Sequence, residues 1–259
     1  MSDYSTDAVL LKKIEYGDHD LIISFLSRSR GKITVMAKNA KKSVKRFSGA
    51  LDLFSVNHIQ CTLPKKKKDA LTILAKADLE NGFADIRYDV EKTAYASFWI
   101  ELIHFWTQEE KPQEQLYELV VSSLDMLCSG TLEKEVTSLL FQIRFMHLSG
   151  FSPQIERCES CGTDLDPMPQ KKIWFDFQEG RLFCSNCFSP KNRFGMKVSK
   201  GTLKQLYWIN HTPMDRVDRI KFSRLAILEG ERLLESFIGF HIGRKFKSLS
   251  FLNQLRRER

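Results

Sequence analysis

Residues 158–188 read "CESCGTDLDPMPQKKIWFDFQEGRLFCSNCF" and carry two Cys-x-x-Cys pairs, Cys158/Cys161 and Cys184/Cys187, with twenty-two residues between them. Four thiols arranged this way can hold a metal ion, close two disulfides or carry out redox exchange. Between the pairs, Trp174, Phe175 and Phe177 lead into a turn at Glu179–Gly180, and Leu182–Phe183 lead out of it. That is the pattern of a hairpin bringing the second pair back to the first, as in a zinc ribbon. In a reducing compartment paired cysteines are expected to bind metal rather than to cross-link. With thiolate at all four positions, no ligand position is left for water, so the expected Zn2+ is a structural staple and not a catalytic centre. The zinc deaminase pattern is absent: no His is followed two residues later by Glu, and Phe183 rather than Pro precedes Cys184. Cys61 and Cys128 stand alone in apolar patterns and read as small buried hydrophobes.

Outside the cysteine segment, 155–190, the pattern is helical. Ala94, Phe98, Leu102 and Phe105 recur at three- or four-residue spacing. Pro112 suits the first turn of a second helix with Leu116, Leu119, Val120, Leu124 and Leu127 on one face, stopping at Gly130. A third, near 132–149, offers Val136, Leu139, Leu140, Ile143 and Met146 and stops at Gly150. Three consecutive helices with short connections predict a bundle. Farther on, Ser199 is a candidate N-cap ahead of Leu203, Leu206 and Tyr207, and "LAILEGERLLESFIGFHIG" predicts a longer helix.

The first eighty residues have a different period. "AVLLKKIEY", "LIISFLSR", "KITVMAK", "LFSVNHIQCTL" and "ALTILAKADL" are short runs rich in β-branched and aliphatic residues, separated by "GDHD", "SRG" and "PKKKKD". Ile33, Val35 and Ala37 alternate with Thr34, Met36 and Lys38. Five such strands predict a five-stranded OB-fold barrel. The fold class is therefore α+β: an OB-fold nucleic-acid-binding domain over 1–80, then an α-helical domain over 81–259, interrupted at 155–190 by a four-cysteine zinc-binding segment.

The net charge of +8 is unevenly spread: +6 over 1–80, −6 over 81–155 and +8 over 156–259. Surplus positive charge points to a polyanionic partner. Its densest part is "RSRGKITVMAKNAKKSVKR", with Arg28, Arg30, Lys32, Lys38, Lys41, Lys42, Lys45 and Arg46 and no acidic residue among them. On a barrel these are candidate phosphate contacts, with Phe25, Phe47 and Phe54 as nearby candidates for stacking under bases, although ordinary core packing is the stronger expectation for any one of them. Lys65, Lys66, Lys67 and Lys68 form a second, looser cluster.

Several function classes find no support. No basic region followed by an apolar run opens the chain, and no stretch is apolar for the roughly 18 residues of a membrane span, so the expected location is the cytosol. P-loop, G-x-G-x-x-G and G-x-S-x-G patterns are absent. Asp18, His19 and Asp20 in "GDHD" read as a structural turn, and His104 and His147 as packing or surface residues of helices. Catalytic residues are therefore expected to be none. A nuclease, or a scaffold or transcription factor that binds through the ribbon, are the alternatives to a non-catalytic DNA-binding protein.

Three patches, in order along the chain, resemble the RecO family of bacterial DNA repair proteins. "AVLLKKIEYGDHDLIISFLSRSRGKITVMAKNAKK" is similar to the family's opening, "MHLSGFSPQIERCESCG" to its approach to the zinc motif, and "FIGFHIGRKFKSLSFLNQL" to its C-terminal helix. Asn39 stands where that family usually has Gly, and Asn tolerates left-handed backbone. Some members lack the cysteines, which fits a structural metal. The resemblance implies a recombination mediator at the bacterial nucleoid. Such a protein binds single- and double-stranded DNA, anneals complementary strands and, with RecR, helps RecA replace SSB. It also implies a pocket in the helical part for the SSB C-terminal tail, apolar and rimmed with cations from the basic last third of the chain.

Overall fold

The structure is a computed structural model that describes residues 3–63, 71–189 and 194–258. Lys65, Lys66, Lys67 and Lys68 lie outside the described residues. In chain order the first elements are β1 (Asp3–Tyr16), β2 (Asp20–Ser27), β3 (Gly31–Ala37), α1 (Val44–Phe47), β4 (Val56–Thr62) and β5 (Thr72–Asn81). They form a closed barrel in the order β1-β2-β3-β5-β4. The fourteen residues of β1 pair with β4 at one end and β2 at the other, and a register shift between Leu10 and Lys12 bends the strand between its two partners. β3 and β5 close the barrel in parallel through Val35↔Thr72 and Met36↔Ile73. Alternation sets the inside: Ile33, Val35 and Ala37 join Leu10, Phe25, Ile59 and Leu74 in one core. Phe47, Ala50 and Leu51, from α1 and the turn after it, belong to the same core and close one end of the barrel.

Gly31 takes φ +71°, and a Cβ there would lie 1.8 Å from the carbonyl oxygen of Lys111. The Glu110 amide donates to the Lys32 carbonyl at 2.9 Å, so the segment around 109–111 runs directly against the start of β3. Only glycine meets both demands at this position.

The remaining elements are α2 (Ala84–Tyr88), α3 (Val90–Trp106), α4 (Glu114–Ser129), α5 (Lys134–Leu148), β6 (Gln154–Cys158), β7 (Lys172–Asp176), β8 (Arg181–Phe183), β9 (Gly195–Ser199), α6 (Lys200–His211), α7 (Arg224–Ile242) and α8 (Lys247–Arg257). The chain packs as two compact units, Met1–Ser129 with Phe246–Arg259, and Gly130–Lys245.

In the first unit, Asp89 caps α3 by accepting from the Glu91 and Lys92 amides. Residues 94–96, 98–100, 102 and 103 are all buried, so α3 hides more than one face. Part of that cover is α8, which comes from the far end of the sequence. Glu101 on α3 accepts from the Lys247 amide at 3.3 Å, the Ser248 amide at 2.9 Å and the Ser248 hydroxyl, capping α8 from outside. Phe246 meets Phe98 edge-on at 5.8 Å, and the Arg256 guanidinium lies over the Tyr95 ring.

In the second unit, α5 packs on α6 and α7. The four short strands form a sheet in the order β6-β8-β7-β9. The β7–β8 hairpin turns at Gly180, φ +67°, where the Asp176 carboxylate accepts from the Glu179 amide at 3.0 Å. Phe175 stands edge-on to Phe237 of α7 at 5.2 Å, which ties the hairpin to the helices of its own unit.

The predicted apolar faces of α4 and α5 are buried throughout. The three-helix bundle is not formed as predicted: α3 and α4 share a unit with α8, and α5 with α6 and α7. Sequence adjacency predicts that neighbouring helices cover one another, but α8 covers α3, and Phe105, in the last turn of α3, is 40% exposed.

Glu101→Ala removes the cap of α8 and should cost about 1–2 kcal/mol. The expected result is a lower urea midpoint with an unchanged denaturant slope. A midpoint equal to that of the parent would show that α8 does not need the cap.

Candidate nucleic-acid interface and metal centre

The four cysteines come together. The first pair begins at Cys158, the last residue of β6, and the second follows β8, strands that lie side by side in the sheet. Each pair sits in a tight turn: the Gly162 amide donates to the Cys158 carbonyl at 2.9 Å, and the Phe188 amide to the Cys184 carbonyl at 2.9 Å. All four Sγ atoms lie within 4.8 Å of one another, and those of Cys161 and Cys184 are 3.8 Å apart. Four sulfurs at about 2.3 Å from one tetrahedral ion are separated by about 3.8 Å, so the spacing suits a metal. It is far too long for a disulfide, whose sulfurs are about 2.05 Å apart. Cys158 and Cys184 are buried, Cys187 half-buried and Cys161 exposed. The Thr163 hydroxyl beside Cys161 lowers the pKa of that thiol to about 6, whereas hydrogen bonding with Cys184 and Cys161 raises that of Cys187 to about 12. Neighbouring thiols cannot all become thiolates unaided, and a divalent cation supplies the missing charge.

On the barrel, the loop after β3 is docked against the β1–β2 hairpin tip. The Asn39 amide donates to Asp20 Oδ1 at 2.7 Å, and the Lys41 amide to the His19 carbonyl at 3.1 Å. Asn39 adopts φ +53° as its side chain permits. "GDHD" thus serves as the hairpin turn and a docking point. Asp18, His19 and Asp20 form no metal-ligand group among the described residues.

The eight basic candidates sort into two sets. Arg28 is held by Glu114 at 3.1 Å and Glu118 at 2.7 Å. Lys32 is mostly buried, donates to the His104 carbonyl at 3.1 Å and faces Glu109. Arg30 lies over the Tyr4 ring, Lys41 pairs with Glu15 at 2.8 Å, and Arg46 donates to the Lys38 carbonyl and lies over Phe47. Lys38, Lys42 and Lys45 are exposed and have no ion-pair partner among the described residues.

Phe25, Phe47 and Phe54 are all buried, so none is a stacking platform. On the barrel, the exposed aromatic among the described residues is Tyr16, 53% accessible at the end of β1, with Ile14 nearby. Tyr16 is the cross-strand partner of Asp20, which holds the lysine loop. Sequence reading missed it because Tyr16 closes an apolar strand run. The usable signal was its position next to the Gly17 turn, where β1 ends and β2 begins.

In the second unit a cavity of about 490 Å³ is lined by Phe151, Phe237, His241, Arg157, Arg181 and Glu159 among others. Arg181 is ion-paired to Glu159, which leaves Arg157 as the freer guanidinium. Burial lowers the pKa of His241, so this imidazole favours its neutral form.

Comparison with known proteins agrees along the whole chain. The family described as "Recombination protein O N terminal" matches residues 1–83, and "Recombination protein O C terminal" matches residues 87–250. The chain is similar to "DNA repair protein RecO" of Desulfatibacillum aliphaticivorans, 42% identical with 99% of each chain covered. It is similar to the proteins of the same description from Desulfosudis oleivorans, 34% identical over 99% of each, and Syntrophus aciditrophicus, 32% identical over 98% of this chain and 96% of that one.

Metal analysis of purified protein should find about one tetrahedrally bound ion per chain. Cys184→Ala should lose it and lower the thermal midpoint. Metal-free protein that folds normally, with all four thiols freely titrating, would refute the centre.

Proposed function

The chain belongs to the RecO family of DNA repair proteins, and from that premise we propose that it is a recombination mediator that catalyses no bond chemistry. It binds single- and double-stranded DNA through the barrel domain, 1–80, and anneals complementary strands. With RecR it helps load RecA onto strands coated by SSB, and it works in the cytoplasm at the nucleoid. The helical domain, 81–259, receives the SSB tail, and the 155–190 segment is braced by one structural Zn2+ on Cys158, Cys161, Cys184 and Cys187.

The observation that carries this reading is the set of exposed cations without an ion-pair partner among the described residues, Lys38 and Lys42 on the loop held beside the exposed Tyr16 and Lys45 in α1 just after it. Annealing requires that phosphate charge be neutralised while the bases remain free to pair. Unpaired lysines do the first without reading sequence. One exposed ring steadies a base without sequestering a long run of them. Arg28 and Lys32, committed to carboxylates of their own unit, act in the fold rather than on DNA. Arg30, Lys41 and Arg46 flank the loop and add to its positive field.

For the SSB tail, acidic with an apolar end, we assign the cavity between Phe151 and Phe237. It combines aromatic walls with the guanidiniums of Arg157 and Arg181 against the carboxylates of Glu159 and Glu179, Arg181 being paired with Glu159. A second cavity, beside Tyr207 and Trp208, sets Glu156, Asp164 and Asp166 against the cation Lys204, and this acidic excess disfavours an acidic peptide.

Replacing Lys38, Lys42 and Lys45 together by Glu should weaken single-strand binding regardless of sequence and flatten its log–log salt slope by about 2. Tyr16→Ala should cost about 1–3 kcal/mol of single-strand affinity with little change in that slope. Annealing of SSB-coated complementary strands, with RecR present, should fall in both variants. Unchanged binding and annealing in the triple variant would reject this interface. Shortening of labelled DNA in the presence of Mg2+ would favour a nuclease.

A further inference from the structure

Asp7, His58 and Glu80 come from adjacent strands β1, β4 and β5, and their ligand atoms all lie within 4.8 Å of one another. Asp7 and His58 are direct cross-strand partners, with His58 Nδ1 at 2.7 Å from Asp7 Oδ1. Glu80 arrives by an irregularity: Asn57 is opposite Leu79 and Val56 is opposite Asn81, so Glu80 is the extra residue of a bulge. A bulge re-aims a side chain, here bringing a carboxylate beside a pair that regular register had already aligned.

Charge balance around the three residues is poor. Neither Asp7 nor Glu80 has a Lys or Arg ion-pair partner among the described residues. Arg28 donates its backbone amide to the Asp7 carbonyl at 2.8 Å, but its guanidinium is taken by Glu114 and Glu118. Tyr117 of α4 lies close to the same place. As a residue it is only 5% exposed. Burial first, and then the charges of Asp7, Glu80 and Glu118, raise its pKa.

We propose that Asp7, His58 and Glu80 form a second metal site, on the barrel, for a divalent first-row cation. One imidazole nitrogen and two carboxylate oxygens suit ions of the Mn2+ or Zn2+ class, with water completing the shell, and suit thiophilic ions less than the four-cysteine site does. Two donors on one ion at about 2.1 Å can be at most about 4.2 Å apart. The remaining few tenths of an ångström up to 4.8 Å are within reach of the exposed Glu80 side chain. Bound there, the ion clamps three strands where β5 departs from regular pairing, and it stabilises the barrel in proportion to its concentration.

Mn2+ is the probe, because the zinc in the thiolate site binds more tightly and will not be displaced by it. Full-length protein carrying one equivalent of zinc, enough for the thiolate site alone, is titrated with Mn2+ while free Mn2+ is followed by electron paramagnetic resonance. A single Mn2+ should bind per chain, with a matching rise in thermal midpoint. His58→Gln and Glu80→Gln should each weaken binding by at least about tenfold and remove that rise, while the zinc content stays unchanged. Glu80 is exposed and outside regular pairing, so Glu80→Gln keeps the assay interpretable even where His58→Gln disturbs the barrel. If the parent protein binds no Mn2+ at millimolar concentration, or Glu80→Gln binds it equally well, Asp7 and His58 are an ion pair and nothing more.

Discussion

The barrel closes through a short parallel seam, Val35↔Thr72 and Met36↔Ile73, and much of the molecule's chemistry follows from it. Every other strand pair in the barrel is antiparallel. A parallel neighbour cannot be reached by a hairpin, so the chain leaving β3 must cross the barrel's end before returning in β4. That crossing is the segment with the lysines. Its apolar residues Phe47, Ala50 and Leu51 are drawn into the core, while Lys38, Lys42 and Lys45 before them are exposed. Closure and surface charge are thus two results of one topological requirement.

Where cations end up depends on partners that a count of charges does not see. Arg28 and Lys32 looked equivalent to Lys38 and Lys42 in a run without acids. Their counterions, Glu109, Glu114 and Glu118, come from a part of the sequence that bears the opposite net charge. The alternating basic and acidic blocks therefore have an internal use: part of the acidic block neutralises part of the basic one. Within that run, the cations left without an ion-pair partner among the described residues are fewer than the sequence suggested.

The strands, the helices and the cysteine spacing were legible because each is a local pattern with its own period. Ile33, Val35 and Ala37 alternate, Leu116 through Leu127 follow a helical face, and Cys-x-x-Cys needs only a tight turn. Long-range pairing was not legible. Nothing in Lys247–Arg257, where Leu252 is the buried residue, announces that this helix covers α3. Phe25, Phe47 and Phe54 are core residues because the barrel interior demands volume, whereas Tyr16 escapes it by lying at the hairpin's end. The Asp7–His58–Glu80 group depends on a bulge, and a bulge shifts register without leaving a periodic trace.

The cap that Glu101 places on α8 also sets an order of events during synthesis. A ribosome delivers residues 130–245 before it delivers residue 246, so one packing unit is complete while the other still lacks its final helix. Until Lys247 and Ser248 emerge, Glu101 has no amides to accept from, and the ring of Phe98 has no partner in Phe246. Nascent chains are therefore most vulnerable along α3, where apolar surface waits longest for its cover.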